Sequence, residues 1–94
     1  MFYAPNSDDA RILGEEIQST LIELVQPDNT RVAKRGTNST YILKKATVPT
    51  VIVECGFLSN GAELKLLKDK DYQARLAFAV RAGINNYYSK TKKE

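Results

Sequence analysis

The sequence predicts an α/β domain in which helices cover a small sheet. Two long stretches, around residues 10–24 and 72–87, repeat apolar residues at three- and four-residue steps, the mark of amphipathic helices. One short run, Thr50-Val51-Ile52-Val53, is β-branched with no polar alternation, which suits a strand covered on both faces. Along the chain the elements read strand stub, helix, strand, strand, helix, helix, an order that belongs to layered α/β architecture.

Phe2-Tyr3-Ala4, stopped by Pro5, reads as the last residues of a strand that begins before Met1. Asn6 and Ser7 are N-cap candidates, and Asp8 and Asp9 then sit in the first turn, where the helix dipole favours anions. Ala10, Leu13, Ile17, Leu21 and Leu24 mark the apolar face of a helix over about 8–25, which Pro27 stops. Residues 27–40 (PDNTRVAKRGTNST) are polar and rich in turn formers and read as a surface loop. Tyr41-Ile42-Leu43 predicts a short strand over about 41–44. Pro49 can open a strand but not sit inside a central one, so the next strand runs over about 50–54. Asn60 with Glu63 three residues on matches a capping box and opens a helix over about 61–68, Leu64 and Leu67 inward. Asp69 or Lys70 begins the last helix, about 70–88. Its stripe is Tyr72, Leu76, Val80, Gly83 and Tyr87, with Ala77, Ala79 and Ala82 as close-packing neighbours. Residues 89–94 read as a frayed tail.

This inventory leaves too little sheet, since three or more strands are normally needed for independent stability. Residues 1–94 are therefore expected to be the C-terminal part of a single larger domain, or to be completed by another chain. Alone, the chain is expected to self-associate or fold marginally through open sheet edges and apolar helix faces.

Composition narrows the chemistry. The hydrophobic share of 43% and charged share of 27% exclude disorder and collagen-like repeats as the main state. No stretch approaches the roughly 20 apolar residues of a membrane helix, and residues 1–20 lack the pattern of a secretion signal. A net charge of +3, with lysines spread among acids, reads as a solvated mixed-charge surface and not as the clustered basic face of a nucleic-acid binder. There is no histidine, which removes the commonest general acid/base and the commonest metal ligand together. Cys55 is alone, so an internal disulfide and a cysteine zinc knuckle are both excluded.

Glu54 is the one conspicuous candidate. A carboxylate directly after Thr-Val-Ile-Val sits at the C-terminal end of a covered strand, where open α/β sheets place their ligand crevices. Gly56 allows an unusual turn, and Phe57 and Leu58 supply apolar surroundings of the kind that raise a carboxylate toward a general-base role. The plain alternative is a carboxylate that leaves the sheet and caps a turn or pairs with a lysine. Cys55 points away from Glu54 by strand alternation and reads as a small buried hydrophobe; a thiol nucleophile would need a base that the chain lacks. Ser59-Asn60 reads as a helix cap, Arg31, Lys34 and Arg35 as solvated loop charges, and Tyr72 and Tyr87 as core. No phosphate-binding glycine loop is present.

The segment Pro49-Thr-Val-Ile-Val-Glu-Cys-Gly-Phe-Leu-Ser-Asn60 resembles the C-terminal motif P-x-[VI]-L-[VI]-E-x-G-F-[LI]-S-N of zinc-dependent N-acetylmuramoyl-L-alanine amidases. Phe2-Tyr3, Leu13-Gly-Glu-Glu-Ile-Gln, Tyr41-Ile-Leu-Lys, Glu63-Leu-Lys-Leu-Leu and Asp71-Tyr-Gln extend the likeness over nearly the whole chain. Asn29-Thr-Arg-Val-Ala-Lys with Val53-Glu-Cys-Gly looks most like the subgroup acting on spore cortex during germination.

The resemblance implies a twisted, mostly parallel sheet flanked by helices and a location at the cell wall or spore envelope. It implies peptidoglycan as substrate and a zinc ion held by two histidines and a glutamate, all upstream of this chain. It places Glu54 as general base on the zinc-activated water, with the metal stabilising the oxyanion. No metal ligand and no bound zinc are expected in these 94 residues alone. The partner implied is a histidine-bearing N-terminal half of the same domain. The competing reading is a wall-binding or complementing fragment without catalysis; a small nucleic-acid binder is a third.

Overall fold

The computed structural model describes residues 1–37, 41–55 and 60–91. Among these residues seven elements follow one another: β1 (Phe2–Tyr3), α1 (Asp8–Leu24), β2 (Lys34–Arg35), α2 (Tyr41–Lys45), β3 (Val51–Ile52), α3 (Gly61–Leu67) and α4 (Lys70–Thr91). The α/β class holds. Among the described residues the sheet has three very short strands in the order β2-β1-β3.

Local chemistry starts the helices where expected. Ser7 is the N-cap of α1, its Oγ accepting from the Ala10 N–H at 3.0 Å. Arg11 on the first turns pairs with Asp8 at 2.8 Å and Glu15 at 3.0 Å. Asn60 caps α3, its Oδ1 accepting from the N–H groups of Ala62 and Glu63. Asp69 Oδ1 accepts from the Tyr72 N–H at 2.9 Å and so opens α4. That helix continues to Thr91, where the sequence places 89–91 in a frayed tail. Lys90 Nζ reaches Glu16 Oε2 at 2.7 Å and ties the end of α4 to α1.

Three expectations are corrected. The predicted strand at 41–44 is the short helix α2. The segment pairs with no strand of the described sheet and satisfies its backbone within a helical turn instead. One anchor fixes it: Leu43 is buried while Ile42 is exposed. Part of the expected loop 27–40 is instead strand β2. Its backbone is bonded to β1, Lys34 N–H donating to the Met1 carbonyl at 3.0 Å and Gly36 N–H to that of Tyr3 at 2.7 Å. A Cβ on Gly36 would stand 2.6 Å from Leu43 Cδ1 and 2.9 Å from the Tyr3 oxygen, so this approach requires glycine. Third, the expected mostly parallel sheet is mixed among the described residues: β1 pairs parallel with β2 across the α1 crossover and antiparallel with β3.

α1 is the centre of the packing. Its sheet side presents Gly14, where a Cβ would lie 3.4 Å from Tyr3 Cβ and 3.5 Å from Val51 Cγ1. Its other side carries α4. Ile17, Leu21, Tyr72, Leu76 and Ala79 form the main core with Met1, and Ala4, Ala10 and Leu43 form a second cluster. Val51 and Val53 pack on the first cluster and Ile52 on the second, which is why the β3 run has no polar alternation. Leu24, placed on the expected apolar face, is exposed, while Thr20 is buried because it meets α4, its hydroxyl donating to the Ala79 carbonyl at 2.6 Å. Phe78 and Tyr88 on the outer face of α4 remain about two-thirds exposed, at 65% and 64%.

The α1–α4 crossing depends on Gly83. A Cβ there would fall 2.5 Å from Ile17 Cα and 2.9 Å from its backbone nitrogen. Backbone cannot yield as a side-chain tip can, so the helices must separate. Gly83→Ala is expected to cost about 1–3 kcal/mol of overpacking, only partly offset by the roughly 1 kcal/mol of helix propensity gained. Gly61→Ala is the control: a Cβ there meets nothing within 4 Å. Thermal melts should show a lowered midpoint for the first and an unchanged or raised one for the second.

Candidate active site

β3 delivers the candidate carboxylate. The strand is fixed at its start by the Ala4 N–H donating to the Thr50 carbonyl at 3.0 Å and by the β1 ladder. Val53 packs inward, Glu54 is exposed, and Cys55 is half-buried against the main core. Glu54 and Cys55 both border an open cleft of about 420 Å³. Glu63 and Leu66 of α3 and the loop from Gln26 to Arg31 also line it. Tyr72 of α4 reaches the same cleft.

The loop wall is held by a chain of carboxamides. Gln26 Nε2 donates to the Tyr72 hydroxyl at 2.8 Å and to the Cys55 carbonyl at 3.3 Å. Its Oε1 accepts from Asn29 Nδ2 at 2.9 Å, and Asn29 Oδ1 accepts from the Arg31 N–H at 2.9 Å. The Arg31 carbonyl accepts from Gln18 Nε2 of α1, again at 2.9 Å. Gln18 is buried, and one bond of the chain, from Gln26 to the Cys55 carbonyl, reaches the residue that follows Glu54. The cleft is thus a shaped surface held by polar bonds between α1, the loop, β3 and α4.

Sequence reading placed Glu54 on a ligand crevice, and the structure sets it at a cleft edge. Cys55, read as a buried hydrophobe, packs on the core and also touches the cleft. Arg31 borders the cleft, whereas Lys34 and Arg35 lie on β2, Arg35 Nε donating to the Pro5 carbonyl at 2.9 Å. Tyr72 is buried as expected but its hydroxyl belongs to the carboxamide chain. Gly56, Phe57, Leu58 and Ser59 lie outside the described residues. Gln18, Gln26 and Asn29 were not singled out. Gln18 left one signal, a polar residue four positions after Gly14 on the side of α1 that turns inward.

Among the described residues, no group of three or more His, Cys, Asp or Glu side chains is placed to hold a metal ion. Asp28, Glu54, Cys55 and Glu63 all border the cleft without converging on one point. These residues do not fit a zinc site.

The family model described as N-acetylmuramoyl-L-alanine amidase matches residues 1–86. The chain is 40% identical over 84 residues to an uncharacterised cell wall amidase of Bacillus anthracis, covering 89% of this chain and 15% of that protein. It is 33% identical over 87 residues to the germination-specific N-acetylmuramoyl-L-alanine amidase of Bacillus subtilis (strain 168), covering 93% of this chain and 34% of that one. The solved CwlD amidase from Clostridioides difficile, in complex with the GerS lipoprotein, superimposes with a TM-score of 0.88 at 41% identity. That match covers 94% of this chain and 44% of the other. The chain therefore spans less than half the length of each.

Proposed function

We propose, because this chain belongs to the N-acetylmuramoyl-L-alanine amidase family, that it is the C-terminal part of a domain that hydrolyses the amide between N-acetylmuramic acid and L-alanine in peptidoglycan. Glu54 is its general base. The observation that carries this is the placement of Glu54 itself: an exposed carboxylate two residues past β3, on the edge of a cleft whose loop wall is bonded to the neighbouring Cys55 carbonyl. A general base has to reach its proton in a defined geometry, and such a mounting suits that task.

The chemistry assigned to this chain is proton transfer. Glu54 takes a proton from the water that attacks the amide carbon. When the carbon–nitrogen bond breaks, the proton goes to the departing L-alanine nitrogen. The zinc that the family likeness implies has no site among the described residues, and we assign its ligands to a histidine-bearing N-terminal half. β2 and β3, the outer strands of the described sheet, are the edges that half can extend. The cell wall or spore envelope is the proposed location. No described helix is long and apolar enough to cross a membrane.

A second reading, a wall-binding or complementing piece without catalysis, is favoured by the lack of any histidine. Product analysis decides between them. The complete domain, given purified peptidoglycan, is expected to release peptides that begin with a free L-alanine amine. New reducing sugar ends without new L-alanine amines would point to glycoside cleavage and overturn the amidase reading, and binding without either product would favour the second.

A further inference from the structure

We propose that Gln26 is a positioning residue for Glu54, an inference that rests on the general-base role given to Glu54 above. Gln26 follows the C-terminus of α1, and its N–H donates to the Leu21 carbonyl at 2.8 Å, so its backbone is set by the helix end. Pro27 follows and prevents the helix from continuing. From this fixed point the carboxamide spans three elements: the Cys55 carbonyl next to Glu54, the Tyr72 hydroxyl on α4, and Asn29 in the loop.

The direction of the amide is determined by the groups at the two ends of the chain. A backbone carbonyl only accepts, so Nε2 must face Cys55; a backbone N–H only donates, so Asn29 must turn Oδ1 to Arg31 and Nδ2 to Gln26. Both donors and the acceptor of Gln26 are then used. β3 ends at Ile52, two residues before Glu54, so the ladder no longer holds the backbone there. The bond to the Cys55 carbonyl is a hold on the chain at the residue that follows the base. Displacing a reacting group by about 1 Å can cost 10²-fold in rate, so a bond that holds the chain beside the base bears on turnover.

Gln26→Glu removes the donor that faces Cys55 but also adds a negative charge to the cleft that Glu54 borders, so the exchange rate over 53–55, which that charge need not move, is read beside kcat. A carboxylate still accepts from Asn29 Nδ2 and from the Tyr72 hydroxyl, but it faces the Cys55 carbonyl with an oxygen that cannot donate. Tyr72→Phe is the complement, removing a partner of Gln26 while leaving the bond to Cys55. In the zinc-loaded enzyme that joins this chain to its histidine-bearing half, Gln26→Glu is expected to lower kcat per bound zinc about tenfold with KM within about twofold. Hydrogen exchange should quicken over residues 53–55. Tyr72→Phe should lower kcat by clearly less than Gln26→Glu does, because the bond to the Cys55 carbonyl remains. A Gln26→Glu enzyme with wild-type kcat and unchanged exchange at 53–55 overturns the proposal, as does equal loss in both variants with matching drops in thermal midpoint, the sign of a merely structural role. Glu54→Gln in the same assay separates the two readings: if it retains full turnover, the general-base assignment fails, whereas if it is inactive and Gln26→Glu is normal, only the positioning role fails.

Discussion

Glu54→Gln in the complete domain is expected to lower peptidoglycan turnover by about 10²–10⁴-fold, the usual consequence of losing a general base. The substitution is nearly isosteric and the side chain is exposed, so neither a cavity nor a buried unpaired group is created. Folding should therefore be unchanged, with a thermal midpoint within a degree or two of the parent. Zinc content should also be unchanged, because the described chain contributes no metal cluster in which Glu54 takes part. What is lost is the ability to accept a proton, and the loss should fall on kcat and kcat/KM alike, as for an interaction made in the transition state. Zinc-normalised kinetics with purified peptidoglycan provide the measurement. Wild-type turnover by the glutamine variant would remove Glu54 from the mechanism.

The isolated 94-residue chain is expected to hold no stoichiometric zinc and to release no L-alanine-terminated peptides. A hydrolytic zinc site takes about three protein ligands and an open position for water. This chain has no histidine, and the carboxylates and thiol bordering its cleft do not converge. Carboxylates spread over a surface are hard ligands that suit calcium or magnesium better than zinc. Supplying the histidine-bearing half, joined in one chain or as a docking fragment, should bring zinc and activity back together. Metal analysis on the purified chain, with and without that half, makes the comparison. One tightly bound zinc per isolated chain together with amidase activity would contradict this account.

Much of the molecule was legible because much of it is local. Helix periodicity, Ser7 and Asn60 as caps, and Pro27 as a stop are all read within a few residues, and α1, α3 and α4 begin and end within about three residues of expectation. The β-branched run with a carboxylate at its end was legible too, since strand composition and an abrupt polar residue need no distant partner to be noticed. Glu54 could be singled out before any fold was known.

What the sequence by itself determined is where backbone hydrogen bonds are made close along the chain: the three longer helices, their caps and the apolar β3 run. What only the tertiary structure decided is where a segment's partner lies far away. Residues 41–44 became a helix whose Leu43 packs against Ala4 and Ala10, about thirty to forty residues away in sequence, and Lys34–Arg35 became a strand because β1 lies beside it. Gln26 carries no local mark of importance, because its partners at Cys55 and Tyr72 are 29 and 46 residues away. Polar side chains disclose their role only when the fold brings their partners within about 3 Å, whereas apolar periodicity discloses a helix before anything has folded around it.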